Sequence, residues 1–171
     1  MPRFLITAFI ASLLVLGPTQ STPTEIVRNY DSIKDVTTVR TTPQKLSGPT
    51  DRYHSLTFSV SYAYAGKGAG HPDDLNVELV SVVKAAKLNS DLYVVFVVDG
   101  QEIHFSSDRS AIPKPVAGKQ WVGERMVFGL PREKYVKLVG AKKLSVKLGD
   151  VNFDFSQDQI ALLLRVLVVT H

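Results

Sequence analysis

Residues 92–107 read LYVVFVVDGQEIHFSS, and this stretch decides the fold class. Two runs rich in β-branched and aromatic residues flank Asp99-Gly100, a dipeptide suited to a two-residue type I′ turn because both central positions need positive φ. The turn predicts a hairpin in which Val98 opposes Gln101, Phe96 opposes Ile103 and Val94 opposes Phe105 on one face. Val97 then opposes Glu102, and Val95 opposes His104, on the other. The first arm is apolar on both sides, which predicts an interior strand covered on both faces.

The same logic extends along the chain. Lys142 to Phe155 form a second hairpin around Gly149-Asp150. Leu148 opposes Val151, Val146 opposes Phe153 and Leu144 opposes Phe155, so six apolar side chains share one face, while Ser145, Lys147, Asn152 and Asp154 take the reverse. Residues 53–64, YHSLTFSVSYAY, alternate with Leu56, Phe58, Val60, Tyr62 and Tyr64 on one side, the period of a half-buried strand. Asn76 to Val83 and Gly123 to Leu130 supply further strands, the latter with Met126, Phe128 and Leu130 inward. A first strand is expected near Asp35 to Leu46, behind a loose leader over residues 22–30. Pro131 opens a helical turn in which Tyr135, Leu138 and Val139 form a short apolar stripe that Gly140 closes. Many short strands and only brief helices predict a mainly β chain: an antiparallel β-sandwich or barrel-like domain with one short helix and a C-terminal helix.

The N-terminal residues MPRFLITAFIASLLVLGPTQS place Arg3 before an apolar run from Phe4 to Leu16, broken by Gly17-Pro18. The run is shorter than the roughly 20 residues that span a bilayer and has the layout of a secretory signal. Residues 1–21 are therefore expected to be removed, leaving 22–171 as a single β-rich domain with no transmembrane span. Export to the bacterial periplasm or medium is the expected localisation. The chain has no cysteine, so its core must hold it without disulfides, and thiolate metal sites and cysteine nucleophiles are excluded. A formal charge of +4 is spread along the 171 residues without a dense basic tract, and no nucleic-acid partner is expected.

The C-terminal segment carries the clearest local chemistry. Ser156 and Gln159 make an S-x-x-Q capping box, and Phe155 and Ile160 flank it as a hydrophobic staple. Beyond the cap, Ile160, Leu163, Leu164 and Leu167 form one stripe and Leu162, Val166 and Val169 another, interrupted only by Arg165. A helix apolar around so much of its circumference is buried on more than one side or meets a partner. Leu162 and Val166 are accordingly candidate binding residues. The succession DVTTVRT, LPREKYVKLVGAKKLSVKLG and FDFSQDQIALLLRVL resembles a loose group of uncharacterised exported bacterial β-domain proteins. The resemblance implies a secreted β domain and brings no catalytic residues.

Few motifs point to catalysis. AGKGAGHPDD, residues 65–74, lacks the GxxxxGK[ST] pattern and the following helix of a phosphate-binding loop. His71, Asp73 and Asp74 offer imidazole and carboxylate ligands, but in a composition typical of turns. No GxSxG elbow is present, and Ser81-Val82-Val83-Lys84, which has S-x-x-K spacing, closes an expected strand and lacks the strand-turn-helix context of that motif. The loop over residues 108–122 carries the sole tryptophan, Trp121, with Arg109 and Lys119, residue types over-represented in binding hot spots. These features favour a non-enzymatic exported protein that needs no cofactor and binds a protein or other envelope component. An extracytoplasmic hydrolase or metal-dependent enzyme built on His71, Asp73 and Asp74 is the alternative, and a carbohydrate-binding module with Trp121 as stacking surface is a further one. Oligomeric state is left open.

Overall fold

A computed structural model describes residues 26–49, 53–68, 70, 72–83, 94–105, 114–115 and 122–168. In chain order the elements are β1 (Ile26–Asp31), β2 (Val36–Thr41), β3 (Gln44–Lys45), β4 (Tyr53–Ala65), β5 (Asp74–Val83), β6 (Val94–Val98), β7 (Gln101–Phe105), β8 (Lys114–Pro115), β9 (Val122–Pro131), α1 (Arg132–Val139), β10 (Leu144–Leu148), β11 (Val151–Asp154) and α2 (Gln157–Val168). Among the described residues the strands form two antiparallel sheets. The larger runs β1-β2-β4-β5-β9-β8 with β3 also paired to β4, and the smaller runs β11-β10-β6-β7. The chain is thus a mainly β, sandwich-like molecule, as the alternating patterns predict.

Both predicted hairpins are present with the predicted register. Val98 pairs Gln101, Phe96 pairs Ile103 and Val94 pairs Phe105 across β6 and β7. Asp99 and Gly100 have φ of 49° and 90°, as a type I′ turn requires. In the second hairpin Leu148 pairs Val151 and Val146 pairs Phe153, and the Phe155 amide donates to the Leu144 carbonyl at 3.0 Å. One detail differs from expectation. β6 is interior to its sheet, but Val95 and Val97 on its reverse face are only half-buried. Their cross-strand neighbours on that face are Lys147 beside Val95 and Glu102 beside Val97.

The core lies between the inner faces of the two sheets. Leu56, Phe58, Val60 and Tyr62 of β4, Leu75, Val77 and Leu79 of β5, and Met126, Phe128 and Leu130 of β9 face Phe96, Phe105, Val146, Phe153 and Phe155. Aromatic rings bridge the sheets: Phe58 meets Phe155 with centroids 4.7 Å apart, and Tyr53 meets Phe153 edge-on at 5.3 Å. Such pairs add about 0.5–1.5 kcal/mol each beyond their buried area. On one side the sheets are also tied by backbone, since Ser47 after β3 exchanges hydrogen bonds with Asp154 at 2.7 and 3.3 Å.

The two helices pack on each other, α1 also against β9, β5 and β6, and α2 against β2. The capping box of α2 forms in both directions. The Gln159 amide donates to Ser156 Oγ at 3.2 Å, and the Ser156 amide donates to Gln159 Oε1 at 2.9 Å. Two tyrosines fasten the helix from beneath: Tyr135 Oη donates to the Leu163 carbonyl at 2.9 Å, and Tyr62 Oη to the Val166 carbonyl at 3.5 Å. Burial raises both phenol pKa values above their ordinary range, helped for Tyr135 by Tyr62 and for Tyr62 by Tyr64. Among the described residues no helix is long and apolar enough to cross a membrane.

The start of the chain departs from the sequence expectation. Residues 26–30 of the expected loose leader, together with Asp31, form β1 and pair with β2 from Ile26–Thr41 to Asp31–Val36. Their polar composition, IVRNYD, hides a strand because it stands at the sheet's edge, where little of it is buried. Arg28 anchors it, donating to the carbonyls of Lys67 and Gly68.

Candidate functional site

The outer face of the larger sheet carries a polar trough, and its origin is a break in strand pairing. β2 pairs with β4 as far as Arg40–Ser61, and β3 resumes at Gln44–Phe58. Four steps along one chain thus match three along the other, so one extra residue is absorbed between Thr41 and Pro43. Pro43 has no amide to give to a ladder, which makes this the place where pairing stops. The Val60 amide left over at the corner donates to Thr41 Oγ1 at 3.0 Å. Thr41, inward by the same alternation that buries Thr37 and Val39, is 2 % exposed. Bulges of this kind bend a strand and occur often beside functional sites.

Two adjoining concavities result. One, of about 490 Å³, is lined among the described residues by Val27, Thr38, Arg40, Thr41, Thr42, Pro43, Ser59, Ser61 and Glu78. The other, of about 350 Å³, is lined by Val27, Arg28, Asn29, Thr38 and Arg40. Arg40 borders both. The alternation that buries Val60 and Tyr62 turns Ser59 and Ser61 outward, and register sets Ser61 opposite Arg40 and Ser59 opposite Glu78. Glu78 is held from the far side by Arg125, whose Nε and Nη2 donate to its two carboxylate oxygens at 2.7 and 2.9 Å. That pairing raises the Arg125 pKa further above its ordinary value. The Arg40 side chain is exposed and makes no hydrogen bond or ion pair with a described residue. The trough thus offers a free guanidinium, a fixed carboxylate and a row of hydroxyls.

The residues singled out from sequence fare differently. Leu162 and Val166 are 0 % exposed within the chain itself, so they belong to the interior and not to a binding surface. The two stripes expected on α2 merge into one buried arc of Ile160, Leu162, Leu163 and Val166, with Leu164 turned outward at 48 % exposure. α1 and the two sheets cover a wider sector than a single sheet would. Asp73 and Asp74 are exposed. The Asp73 carbonyl accepts from the Arg132 amide at 2.9 Å, and Asp74 opens β5. His71, Arg109, Lys119 and Trp121 lie outside the described residues. His54 is on β4 of the larger sheet and His104 on β7 of the smaller, and no group of three or more His, Asp or Glu among the described residues is placed to hold a metal ion.

Two further polar arrangements are built around Glu124 and Glu102. Glu124, fully buried on the inner face of β9, accepts from Ser81 Oγ at 3.2 Å. Its position in the Met126-Phe128-Leu130 alternation was the available signal. On the outer face of the smaller sheet, Glu102 receives Lys147 Nζ and lies 3.5 Å from His104 Nε2. Lys147 first, and His104 to a lesser degree, hold the Glu102 carboxyl below its ordinary value.

Fold and site together define an antiparallel β-sandwich closed by two helices, with a hydroxyl-lined trough on its larger sheet. No protein-family model, curated protein or solved structure matches the chain.

Proposed function

We propose that this protein is an exported, non-enzymatic β-sandwich that binds a protein or other envelope component through the trough on the outer face of its larger sheet. The observation that supports this reading is the corner at Thr41–Pro43, beside which lies a concavity of about 490 Å³ lined with outward donors and acceptors. A rigid sheet presents those groups with little ordering cost on binding. Export rests on the apolar run of Phe4 to Leu16 and its Gly-Pro end. The loop with Arg109, Lys119 and Trp121 is a second contact of the same module.

Ser61→Trp fills the trough from a half-buried, outward position and leaves the core intact. The variant is expected to keep its thermal midpoint and to lose retention on immobilised envelope material that holds the wild-type chain. The exported chain is expected to begin at Thr22 by N-terminal sequencing. Retention that survives Ser61→Trp and disappears with Trp121→Ala would move the binding surface to the loop and overturn the trough.

A further inference from the structure

We propose that the trough takes an acidic sugar chain, a polymer of hydroxyl-rich rings bearing carboxylates. The inference rests on the trough being the binding surface, and it names the chemistry of what lies there.

Charge selects the acid. Arg40 lines both concavities, and its side chain has no hydrogen bond or ion pair with a described residue, whereas Arg28, which lines one, already donates to the Lys67 and Gly68 carbonyls and lies over the Tyr64 ring. Glu78 is already matched by both nitrogens of Arg125, so its negative charge does not cancel that of Arg40. A guanidinium accommodates a carboxylate as a two-pronged pair, with a strength that a neutral hydroxyl does not match.

The remaining groups select the sugar. Thr38, Thr42, Ser59 and Ser61 present hydroxyls that donate and accept, and Glu78 keeps lone pairs that accept only. A ligand rich in hydroxyl groups satisfies both kinds at once. An acidic sugar carries hydroxyl donors for Glu78 on the same ring as the carboxylate for Arg40, whereas the side chains of an acidic peptide offer acceptors alone. Val27, Arg28 and Asn29 belong to the edge strand β1, where a peptide could add as a further strand, so hexaglutamate is the comparator that decides between peptide and sugar. The two concavities flank Arg40 on either side, which suits a chain longer than one ring.

The test titrates the purified chain with hexagalacturonate, with maltohexaose as the neutral comparator and hexaglutamate as the acidic peptide, by calorimetry and by amide chemical shifts. Hexagalacturonate is expected to bind, with shifts at Thr38, Arg40, Ser59 and Ser61, and maltohexaose to bind at least about tenfold more weakly. Arg40→Gln removes a charge-assisted pair and is expected to raise Kd for hexagalacturonate about tenfold to a hundredfold, with Arg40→Lys between the two. Equal binding of acidic and neutral sugars, an Arg40→Gln variant that binds as wild type, or tighter binding of hexaglutamate overturns the inference. Shifts that still map to the trough in those cases leave it standing as a binding surface. Shifts confined elsewhere, with binding retained by Ser61→Trp, remove both.

Discussion

Glu102 shows how a single exposed side chain can be read in register. Across the smaller sheet it pairs with Val97, and it reaches diagonally over β6 to Lys147. The hydrogen bond and charge of Lys147 lower its pKa, and His104 adds a smaller effect. A carboxyl that ionises more readily in the folded chain binds fewer protons there than in the unfolded one. Its contribution is therefore complete above the ordinary glutamate range and is lost as pH falls through the lower folded value. A carbon-detected titration of Glu102 is expected to give a midpoint below that of a free glutamate, and Lys147→Met to move it back up. An unchanged midpoint in the variant would show that the pair is absent in solution. The pairing was legible in part, because the Asp99-Gly100 turn sets Glu102 opposite Val97. The neighbourhood of β10 and β6 was not, because it joins strands more than forty residues apart. Asp99 itself does more than turn the chain: its Oδ1 accepts from the amides of Lys142 and Lys143 at 3.0 and 2.8 Å, fastening the turn to the start of β10.

At the scale of elements, α2 carries the plainest lesson. Its cap was readable because all the partners lie within a few residues of one another. Its environment was not, because the same apolar surface serves an internal packing helix and an interface helix alike. Leu162 sits fully buried, whereas Leu164 two positions on is half exposed. Leu162→Ala is expected to cost about 2–5 kcal/mol by leaving a cavity. Leu164→Ala is expected to stay within about 0.5 kcal/mol of wild type. Urea denaturation separates the two, and similar losses from both would mean that α2 is covered on its outer side as well. The β2–β3 corner is the converse case. The single strand expected near Asp35 to Leu46 is split at Pro43 into β2 and β3, and Thr41, which continues the inward alternation of Thr37 and Val39, accepts from the Val60 amide at the break.

At the scale of the molecule, the two sheets meet through side chains in the middle and through backbone at one margin. Gly48 follows the Ser47–Asp154 bridge so closely over Phe153 that a Cβ there would lie 2.3 Å from the ring. Phe153 is itself wedged edge-on against Tyr53, which leaves the ring little room to withdraw. Gly48→Ala is expected to lower stability by about 1–3 kcal/mol through overpacking. It is also expected to speed hydrogen exchange at the Ser47 and Asp154 amides more than at the β6–β7 turn. Uniform exchange across both sheets would show that the margin does not open separately. The helix pair completes the enclosure elsewhere, with the Tyr135 and Tyr62 hydroxyls holding α2 over the core.

Sequence by itself determined the strands with strict alternation, both hairpin registers, the α1 stripe and the α2 cap, because each depends on neighbours a few residues away or on a period of two. Tertiary structure alone decided that β1 is a strand, that Leu162 and Val166 are interior, and that a trough opens beside Arg40. Those outcomes depend on which distant strand lies alongside: an edge strand needs only its partner's hydrogen bonds, an apolar helix face is indifferent to what covers it, and a corner makes a cavity only where the next strand keeps straight.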